Sequence, residues 1–334
     1  MSDVLSVGVI GAGGIARSHM NAIEANDNIR LVAVMDVDAD RVGAAAADFG
    51  ASAYTDLEPL LDDARVEAVH VCTPHALHAD QVVAAAAAGK HVLVEKPMAL
   101  TLADCDRMID ACDRAGKILM VGQVMRYYPV NRAIRKMIAD GEIGQAGHLI
   151  RRRYSYFNPT PGGSDSRHWY LDLEMGGICV LYCFGPHEYD ILHWYLDSPV
   201  TQVYAQGSES TDLYRGQKDS YTAMMTHENG AVSVLSQTVV SHTGAHDQYI
   251  VGSEGSMMLS GDTLTVNGEE VSVEGSSREG MPNQIREFAT CCLENREPDA
   301  SGHSVRHSMA VIEAAKLSAE RNAPVQMSEL DRDQ

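Results

Sequence analysis

Two side chains in this sequence are of a type, and in a sequence context, that would allow them to bind a small molecule and transfer a proton. Lys96 follows an apolar run at residues 91–94 and Glu95, and it precedes Pro97, which fixes the direction of the chain. If that run is a strand of a parallel sheet, Lys96 lies at its carboxyl end, the side on which such sheets bind ligands. Its ammonium group can there stabilise negative charge that develops on an oxygen atom. The alternative interpretation is a surface lysine paired with Glu95.

His187 is the second such side chain, in the segment GPHEYD at residues 185–190. Imidazole changes its charge near neutral pH and can take a proton from a hydroxyl group. The alternatives are a core histidine satisfied by backbone groups, or a soft-metal ligand, because Cys179 and Cys183 precede His187 at four-residue spacing. Since Pro186 is placed to interrupt that helix and no fourth ligand is evident, we expect no metal. A reactive Cys183 thiol is a further alternative.

Residues 11–16 form a glycine-rich loop between an apolar run and a stretch of helical period. The pattern is G-x-G-x-x-A: Gly11 permits a tight turn, Gly13 lets the backbone approach a pyrophosphate, and Ala16 allows close helix–strand packing. Gly14 and Ile15 open the helix, whose free N–H groups can bind the anion. The loop therefore predicts a dinucleotide site.

Asp36 ends the next apolar run, 20 residues after Ala16. An acidic side chain at this point accepts hydrogen bonds from the ribose hydroxyls, and its charge repels a 2′-phosphate. We therefore expect NAD rather than NADP as the cofactor. Arg41, which could reach a 2′-phosphate, argues the other way, and the alternative role for Asp36 is to cap a turn.

The helices and strands that must position these residues are predicted from two different sequence patterns. Over residues 5–121, short β-rich runs (5–10, 31–35, 68–72, 91–94, 118–121) alternate with Ala-rich helical stretches (15–25, 41–49, 76–88, 102–115). Such alternation predicts crossovers and a parallel sheet. Strand-like runs without long helices follow at 148–156, 200–208, 220–226, 231–240 and 248–252, with hairpin signals at Asn229-Gly230 and Asn267-Gly268 and helical stretches at 284–295 and 304–321.

We therefore predict an α/β Rossmann domain with a parallel sheet over residues 1–122. An α+β domain with a large, mostly antiparallel open sheet follows over residues 123–334, for substrate binding and oligomerisation.

Composition restricts the partners. The 334 residues include 46 acidic and 26 basic side chains, for a formal net charge of −20, which argues against nucleic acid or an anionic membrane as a partner. No apolar run approaches the roughly 20 residues of a membrane span, and residues 1–3 carry no basic start of a signal peptide. Seven cysteines without a CxxC pair fit reduced thiols, so we expect a cytoplasmic protein.

Taken together, these motifs resemble the Gfo/Idh/MocA family, which includes glucose–fructose oxidoreductase and inositol dehydrogenase. The matching pieces span most of the chain and occur in order. They are the glycine loop, Asp36, Thr73-Pro74 with His78, Glu95-Lys96-Pro97, Arg126 with Pro129, Gly176-Gly177, and His187 with Asp190.

The resemblance implies an NAD-dependent dehydrogenase that oxidises a secondary hydroxyl of a sugar, a polyol or a sugar derivative. It implies that Lys96 binds the reacting hydroxyl, that His187 exchanges its proton, and that the protein is a homodimer or homotetramer. Further cofactor residues would be Thr73, Pro74, His75, His78, Glu95 and Gln123. Substrate residues would be Arg126, Tyr154, Asn158, Trp169 and Cys183, beside Lys96 and His187.

One position departs from the family. Cys183 stands where the family usually has an aspartate, one helical turn before the histidine, and a thiol is a weak hydrogen-bond partner. His187 is then held by another group, such as Asp190, Asp172 or Glu174, or the proton path relies more on Lys96, or the chemistry differs. Two alternatives remain open: a lyase or glycosidase-like enzyme whose retained NAD oxidises C3 transiently, and a non-catalytic sensor of sugar or NAD.

Overall fold

The computed structural model describes residues 4–159 and 167–330 and divides into two units. The first combines Met1–Val124 with Gly280–Arg306, and the second combines Met125–Glu279 with His307–Gln334. The predicted domain boundary after residue 122 remains a prediction. The sequence did not indicate that Gly280–Arg306 belongs to the first unit.

The first unit contains a six-stranded parallel sheet with helices between its strands. The strands are β1 (Leu5–Ile10), β2 (Ile29–Met35), β3 (Ser52–Tyr54), β4 (Ala68–Val71), β5 (His91–Val94) and β6 (Leu119–Val121). The helices are α1 (Gly14–Glu24), α2 (Ala39–Phe49), α3 (Leu57–Leu61), α4 (His78–Ala87) and α5 (Leu102–Ala115). The strand order β3-β2-β1-β4-β5-β6 is that of a doubly wound dinucleotide-binding sheet, which confirms the predicted fold class.

The apolar content of these strands explains their position. All six residues of β1 and all four of β4 are buried, as expected for parallel strands covered on both faces. The helices end where the sequence supplies a residue that tolerates the left-handed conformation: Gly50 ends α2 and Gly116 ends α5, at φ +66° and +62°.

The second unit contains a nine-stranded sheet. Its first elements are α6 (Pro129–Ala139), β7 (Ala146–Tyr156), α7 (Leu173–Gly176), α8 (Gly185–Leu196), β8 (Val200–Ser208), β9 (Ser220–His227) and β10 (Val232–Thr238). The sheet continues with β11 (Val240–Gly252), β12 (Ser256–Ser260), β13 (Thr263–Val266), β14 (Glu269–Val271) and β15 (Val325–Gln326). In the order β14-β13-β12-β11-β7-β10-β9-β8-β15, β7 and β10 are parallel and the other neighbours are antiparallel, which confirms the predicted mostly antiparallel sheet.

Both predicted Asn-Gly turns join neighbouring antiparallel strands. Asn229-Gly230 lies between β9 and β10, and Asn267-Gly268 between β13 and β14. Asn267 and Gly268 have φ of 53° and 88°, which is the pair of positive values that a two-residue hairpin turn requires.

One face of this sheet packs against α8, and the other carries exposed apolar side chains. Ile150, Met224 and Tyr249 stand in one cross-strand row on that second face and are 37%, 49% and 44% exposed. The homodimer or homotetramer expected from the sequence remains a prediction.

The two last helices are α9 (Gly280–Glu294) and α10 (Gly302–Arg321). α9 packs within the first unit: Asn28 Nδ2 donates to the carbonyl of Arg286 at 3.3 Å, and the rings of His70 and Phe288 meet edge to face at 5.3 Å. Among residues 4–159 and 167–330, no helix is both long and apolar enough to cross a membrane.

Candidate active site

The glycine loop follows β1, which pairs with β4 in the middle of the sheet. From β1 the chain continues to β2 on one side, and from β4 it continues to β5 on the other. Gly11 has φ +97°, and a Cβ there would lie 2.7 Å from the carbonyl oxygen of Cys72, so this position requires glycine. A Cβ at Gly13 or Gly14 would meet nothing within 4 Å, so the space in front of α1 is open. No side chain caps the amino end of α1, while Ala16 is fully buried and Ile15 is exposed. The loop fits a pyrophosphate on free backbone N–H groups.

Asp36 follows β2 and is buried. Its carboxylate accepts hydrogen bonds from the backbone N–H of Ala12 at 2.8 Å and of Asp38 at 3.0 Å. Arg41 Nη1 lies 3.2 Å from both oxygens of Asp36, and Arg41 Nη2 also contacts Asp38. Asp36 therefore anchors the glycine loop, and Arg41 is held by two carboxylates.

The segment after β4 is tied to the segment after Lys96 by His78. The ring nitrogens of His78 lie 2.9 Å from the carbonyl oxygens of Thr73 and Pro97. Both partners are carbonyl oxygens, which only accept, so a neutral ring with one N–H donates to one of them. Burial lowers the pKa of His78 and so favours this neutral form. Thr73 donates its hydroxyl to Gln81 at 2.6 Å, and the buried His75 begins the short helix that follows Pro74. These residues shape the end of β4.

Glu95 is the buried anchor of Lys96. One carboxylate oxygen accepts the backbone N–H of Lys96 at 3.1 Å, and the other lies 2.9 Å from Nε2 of His19 on α1. A Cβ at Gly122 would lie 2.8 Å from the carboxylate of Glu95, so glycine there makes room for it. Lys96 is half-buried, and Gln123, directly after Gly122, is buried.

His19, on α1, is fully buried. Burial by itself lowers its pKa, but hydrogen bonds and charge interactions with Cys72 and Glu95 raise that pKa from 6.5 to about 10. As an imidazolium, His19 donates to Glu95 and, at 3.2 Å, to Nδ1 of His70. Burial holds the pKa of His70 well below its usual range, so His70 is the neutral acceptor. α1 is thereby joined to the backbone at Lys96 by a buried ion pair.

The His19–Glu95 pair should make stability depend on pH. Because the folded-state pKa of His19 is raised, its contribution is fully present below pH 6.5 and is lost as the pH rises toward about 10. We expect the free energy of unfolding to fall between pH 6.5 and pH 9 by more in the wild type than in His19→Gln. Urea denaturation at both pH values measures this difference, and equal losses in the two proteins would contradict the ion pair.

In the second unit, His187 lies in the first turn of α8 and is half-buried. The preceding residues Cys179–Phe184 form a π-helical turn, and Cys183 is buried within it. The α-helix begins anew at Gly185-Pro186, so the four-residue spacing of Cys179, Cys183 and His187 does not run along one α-helix. Within the described ranges, no three His, Cys, Asp or Glu side chains are grouped to hold a metal ion.

Asp190, a candidate to orient His187, is engaged elsewhere. It accepts two hydrogen bonds from Arg126, at 2.7 and 2.6 Å, and one from Ser308 at 2.5 Å. Arg126 and Asp190 are each 1% exposed, and despite burial the pairing holds the pKa of Asp190 low. Arg126, expected to contact substrate, is thus enclosed with its own carboxylate. Asp172 caps α7 through the backbone N–H groups of Glu174 and Met175, and Glu174 is exposed.

Glu188, directly after His187, is buried and ionised. Burial opposes ionisation, but Arg151 at 2.5 Å, Arg153 and His187 hold the pKa of Glu188 below its ordinary value. Arg151 also donates to Gln248 at 2.7 Å. The carboxylate of Glu188, directly after His187 and two residues before Asp190, therefore interacts electrostatically with His187.

The remaining predicted substrate residues lie in different places of the second unit. Tyr154 is on the sheet face opposite α8, where its hydroxyl contacts Ser236 at 3.0 Å, because side chains alternate along β7. Asn158 is exposed just beyond β7, and Trp169 is half-buried against Tyr170. Tyr154 is thus separated by the sheet from His187.

Two residues with clear contacts were missed, His19 and Arg153. Arg153 lies on the inward face of β7, with its guanidinium 4.3 Å from the centre of the Phe184 ring. The signal was available: inward positions 149, 151 and 153 of β7 include two arginines, which is unusual for a buried strand face.

The strand order and the glycine loop of the first unit define a Rossmann fold of the dinucleotide-binding type. Two family profiles match consecutive parts of the chain: the oxidoreductase family with an NAD-binding Rossmann fold at residues 5–123, and the GFO/IDH/MocA C-terminal domain at residues 131–258. The chain belongs to the Gfo/Idh/MocA oxidoreductase family.

Its relatives include enzymes named for sugars and polyols. D-apiose dehydrogenase of Paraburkholderia graminis is 29% identical over 97% of this chain and 90% of its own length. Myo-inositol 2-dehydrogenase of Thermotoga maritima is 29% identical over 98% of this chain and 99% of its own. A relative with a different type of name, 2,7-anhydro-N-acetylneuraminate hydratase of Mediterraneibacter gnavus, is 28% identical over 78% of this chain and 70% of its own.

Solved structures of similar fold include an enzyme named for sugars. Aldose-aldose oxidoreductase from Caulobacter crescentus, solved with glycerol, aligns with a TM-score of 0.88 over 97% of this chain and 99% of that one, at 23% identity.

Proposed function

We propose that this protein is an NAD-dependent dehydrogenase that oxidises a secondary hydroxyl of a sugar, a polyol or a sugar derivative. The observation that carries the proposal is the position of Lys96 two residues after the last residue of β5, at the carboxyl end of a parallel strand where such sheets bind ligands, with its backbone N–H bound by Glu95. The relatives named for apiose and inositol support the substrate class.

Bound NAD supplies the acceptor for the hydride that leaves the carbon of the alcohol. The ammonium group of Lys96 binds the hydroxyl oxygen and stabilises the negative charge that grows on it as the carbon–hydrogen bond breaks. The imidazole of His187 accepts the hydroxyl proton, and the carbonyl product forms. The Glu188 carboxylate beside His187 favours the imidazolium that results.

The cofactor preference rests on Asp36. Its buried carboxylate lies at the end of β2, and Arg41 is already held by Asp36 and Asp38, so a 2′-phosphate would approach two carboxylates around one guanidinium. We expect Asp36→Ala to weaken NAD binding about 10-fold or more and to weaken NADP binding less. Fluorescence titration of both nucleotides measures this, with Asp48→Ala on α2 as the surface control. Equal losses for the two nucleotides would contradict the ribose role.

The test of the function is absorbance at the reduced-nicotinamide band. Purified protein is mixed with NAD or NADP and a panel of inositols, aldoses and 1,5-anhydro sugars. Growth of the band with one substrate class supports the dehydrogenase, and no growth with any of them overturns it.

A second candidate is an enzyme that retains NAD and oxidises C3 of its sugar only transiently, without net oxidation. Two observations favour it: Cys183 stands in place of the family's usual aspartate, and one relative is named a hydratase. NAD that co-purifies with the protein, together with conversion of substrate that produces no net NADH, would establish this function.

Location and assembly complete the proposal. All seven cysteines are buried and free of disulfides, which fits a reducing cytoplasm. The exposed apolar row on the second sheet would suit a homodimer or homotetramer.

A further inference from the structure

We propose that Arg153 binds an anionic substituent of the substrate, a carboxylate or a phosphate, so that the substrate is a charged sugar or polyol derivative. This inference rests on the proposed function, because it names the substrate class of the same site.

The first step is the position of Arg153. It lies on the α8 face of β7, between Arg151 and Ser155, and its side chain is 14% exposed. Its guanidinium lies over the ring of Phe184 and donates to the hydroxyl of Ser155 at 2.5 Å. Phe184 precedes His187 by three residues and Glu188 follows it, so Arg153 packs against the segment that carries the proposed base.

The second step is a count of charges. Glu188 is the one acidic side chain within 4 Å of Arg153 in the described part of the chain, at 3.9 Å, and it is bound more closely by Arg151 at 2.5 Å. Two guanidinium groups thus share one carboxylate, which leaves one positive charge in excess. Burial lowers the pKa of Arg153, in contrast to the raised pKa of Arg151.

The third step is the contrast with the other buried arginines of this unit. Arg126 is paired with Asp190 through two hydrogen bonds, and Arg151 donates to Glu188 and to Gln248. A largely buried charge is costly unless an opposite charge accompanies it. Arg153 alone of the three therefore has the capacity to accept a further anion, and the planar guanidinium matches a carboxylate or a phosphate in two parallel hydrogen bonds.

The neighbouring Arg152 provides a matched control. It lies on the opposite face of β7 and donates to Asp247 through Nε at 2.8 Å, so it already has a carboxylate and does not face α8. Arg152→Met removes the same charge from the adjacent residue of the same strand.

The experiment compares kcat/KM of the wild type, Arg153→Met, Arg153→Lys and Arg152→Met. The substrates are neutral myo-inositol and D-glucose, the carboxylates D-gluconate and D-glucuronate, and D-glucose 6-phosphate. We expect the wild type to prefer a charged substrate, and Arg153→Met to lower kcat/KM for it about 100-fold through KM, with neutral substrates little changed. Arg153→Lys should restore part of the loss, and Arg152→Met should resemble the wild type. The preference of the wild type for the carboxylate or the phosphate substrates identifies the anionic group that Arg153 binds.

Equal losses for charged and neutral substrates in Arg153→Met, or a wild-type preference for neutral substrates, would overturn the proposal. Calorimetric titration with D-gluconate and with D-glucose 6-phosphate separates it from the proposed function. Binding that depends on Arg153 but leads to no oxidation supports the anion site and counts against the dehydrogenase. Oxidation of neutral sugars without anion binding supports the dehydrogenase and counts against Arg153.

Discussion

Replacing Lys96 by alanine is expected to lower turnover by more than about 100-fold while NAD affinity stays nearly unchanged. The ammonium group is assigned to the oxygen whose charge grows in the transition state, so its loss affects kcat rather than cofactor binding. The glycine loop and Asp36, which would hold the cofactor, do not depend on Lys96: Asp36 is fixed by the backbone of Ala12 and by Arg41. Steady-state kinetics with fluorescence titration of NAD measures both quantities.

Lys117 provides the control for this experiment. It lies in the first unit just before β6, outside the predicted site, so Lys117→Ala removes the same charge without affecting the reaction. Turnover of Lys96→Ala close to that of Lys117→Ala would refute the assignment. A Glu95→Gln variant tests the anchor, since it keeps the shape of the side chain but removes the charge that His19 balances.

Replacing His187 by alanine should lower turnover near neutral pH by about 100- to 1,000-fold. The acidic limb of the pH–rate profile, where protonation of an imidazole removes the base, should disappear in the variant. His242→Ala is the matched control, because His242 is exposed in the same unit and stacks on Tyr156. An unchanged profile in His187→Ala would show that another group takes the proton.

The two variants can also be combined. If Lys96 and His187 act on the same hydroxyl group, the double variant should lose less than the product of the two single losses, because each single change already disables the shared step. Losses that multiply would mean that the two side chains act independently.

Much of the first unit could be predicted from local sequence. The runs at 5–10 and 91–94 are strands within those bounds, because an apolar run bounded by a glycine loop or a proline has few other structures open to it. The short strand β3 and helix α3 were missed, since three and five residues carry too little periodicity to read.

The candidate site was harder to predict because its partners are distant in sequence. Nothing near Arg126 reveals that Asp190 encloses it, 64 residues later. Tyr154 was expected near the substrate because of its residue type. The alternation of side chains along β7 instead places it on the sheet face opposite α8. The same alternation turns Arg153 inward, and this could have been inferred from Leu149 and Arg151 on the same side.

The return of Gly280–Arg306 to the first unit has a consequence for protein synthesis. On the ribosome, residues 1–124 emerge early, but α9, which contacts α1, follows after the 155 residues from 125 to 279. At about 5–20 residues per second, the nucleotide-binding sheet waits roughly 8 to 30 s for its last helix. During that interval His70 lacks the ring of Phe288, and the side chains of Asn26 and Asn28 lack the carbonyls of Pro282 and Arg286. We expect a fragment cut after residue 124 to remain in this incomplete state, and a fragment that appends residues 280–306 through a linker to regain the missing helix.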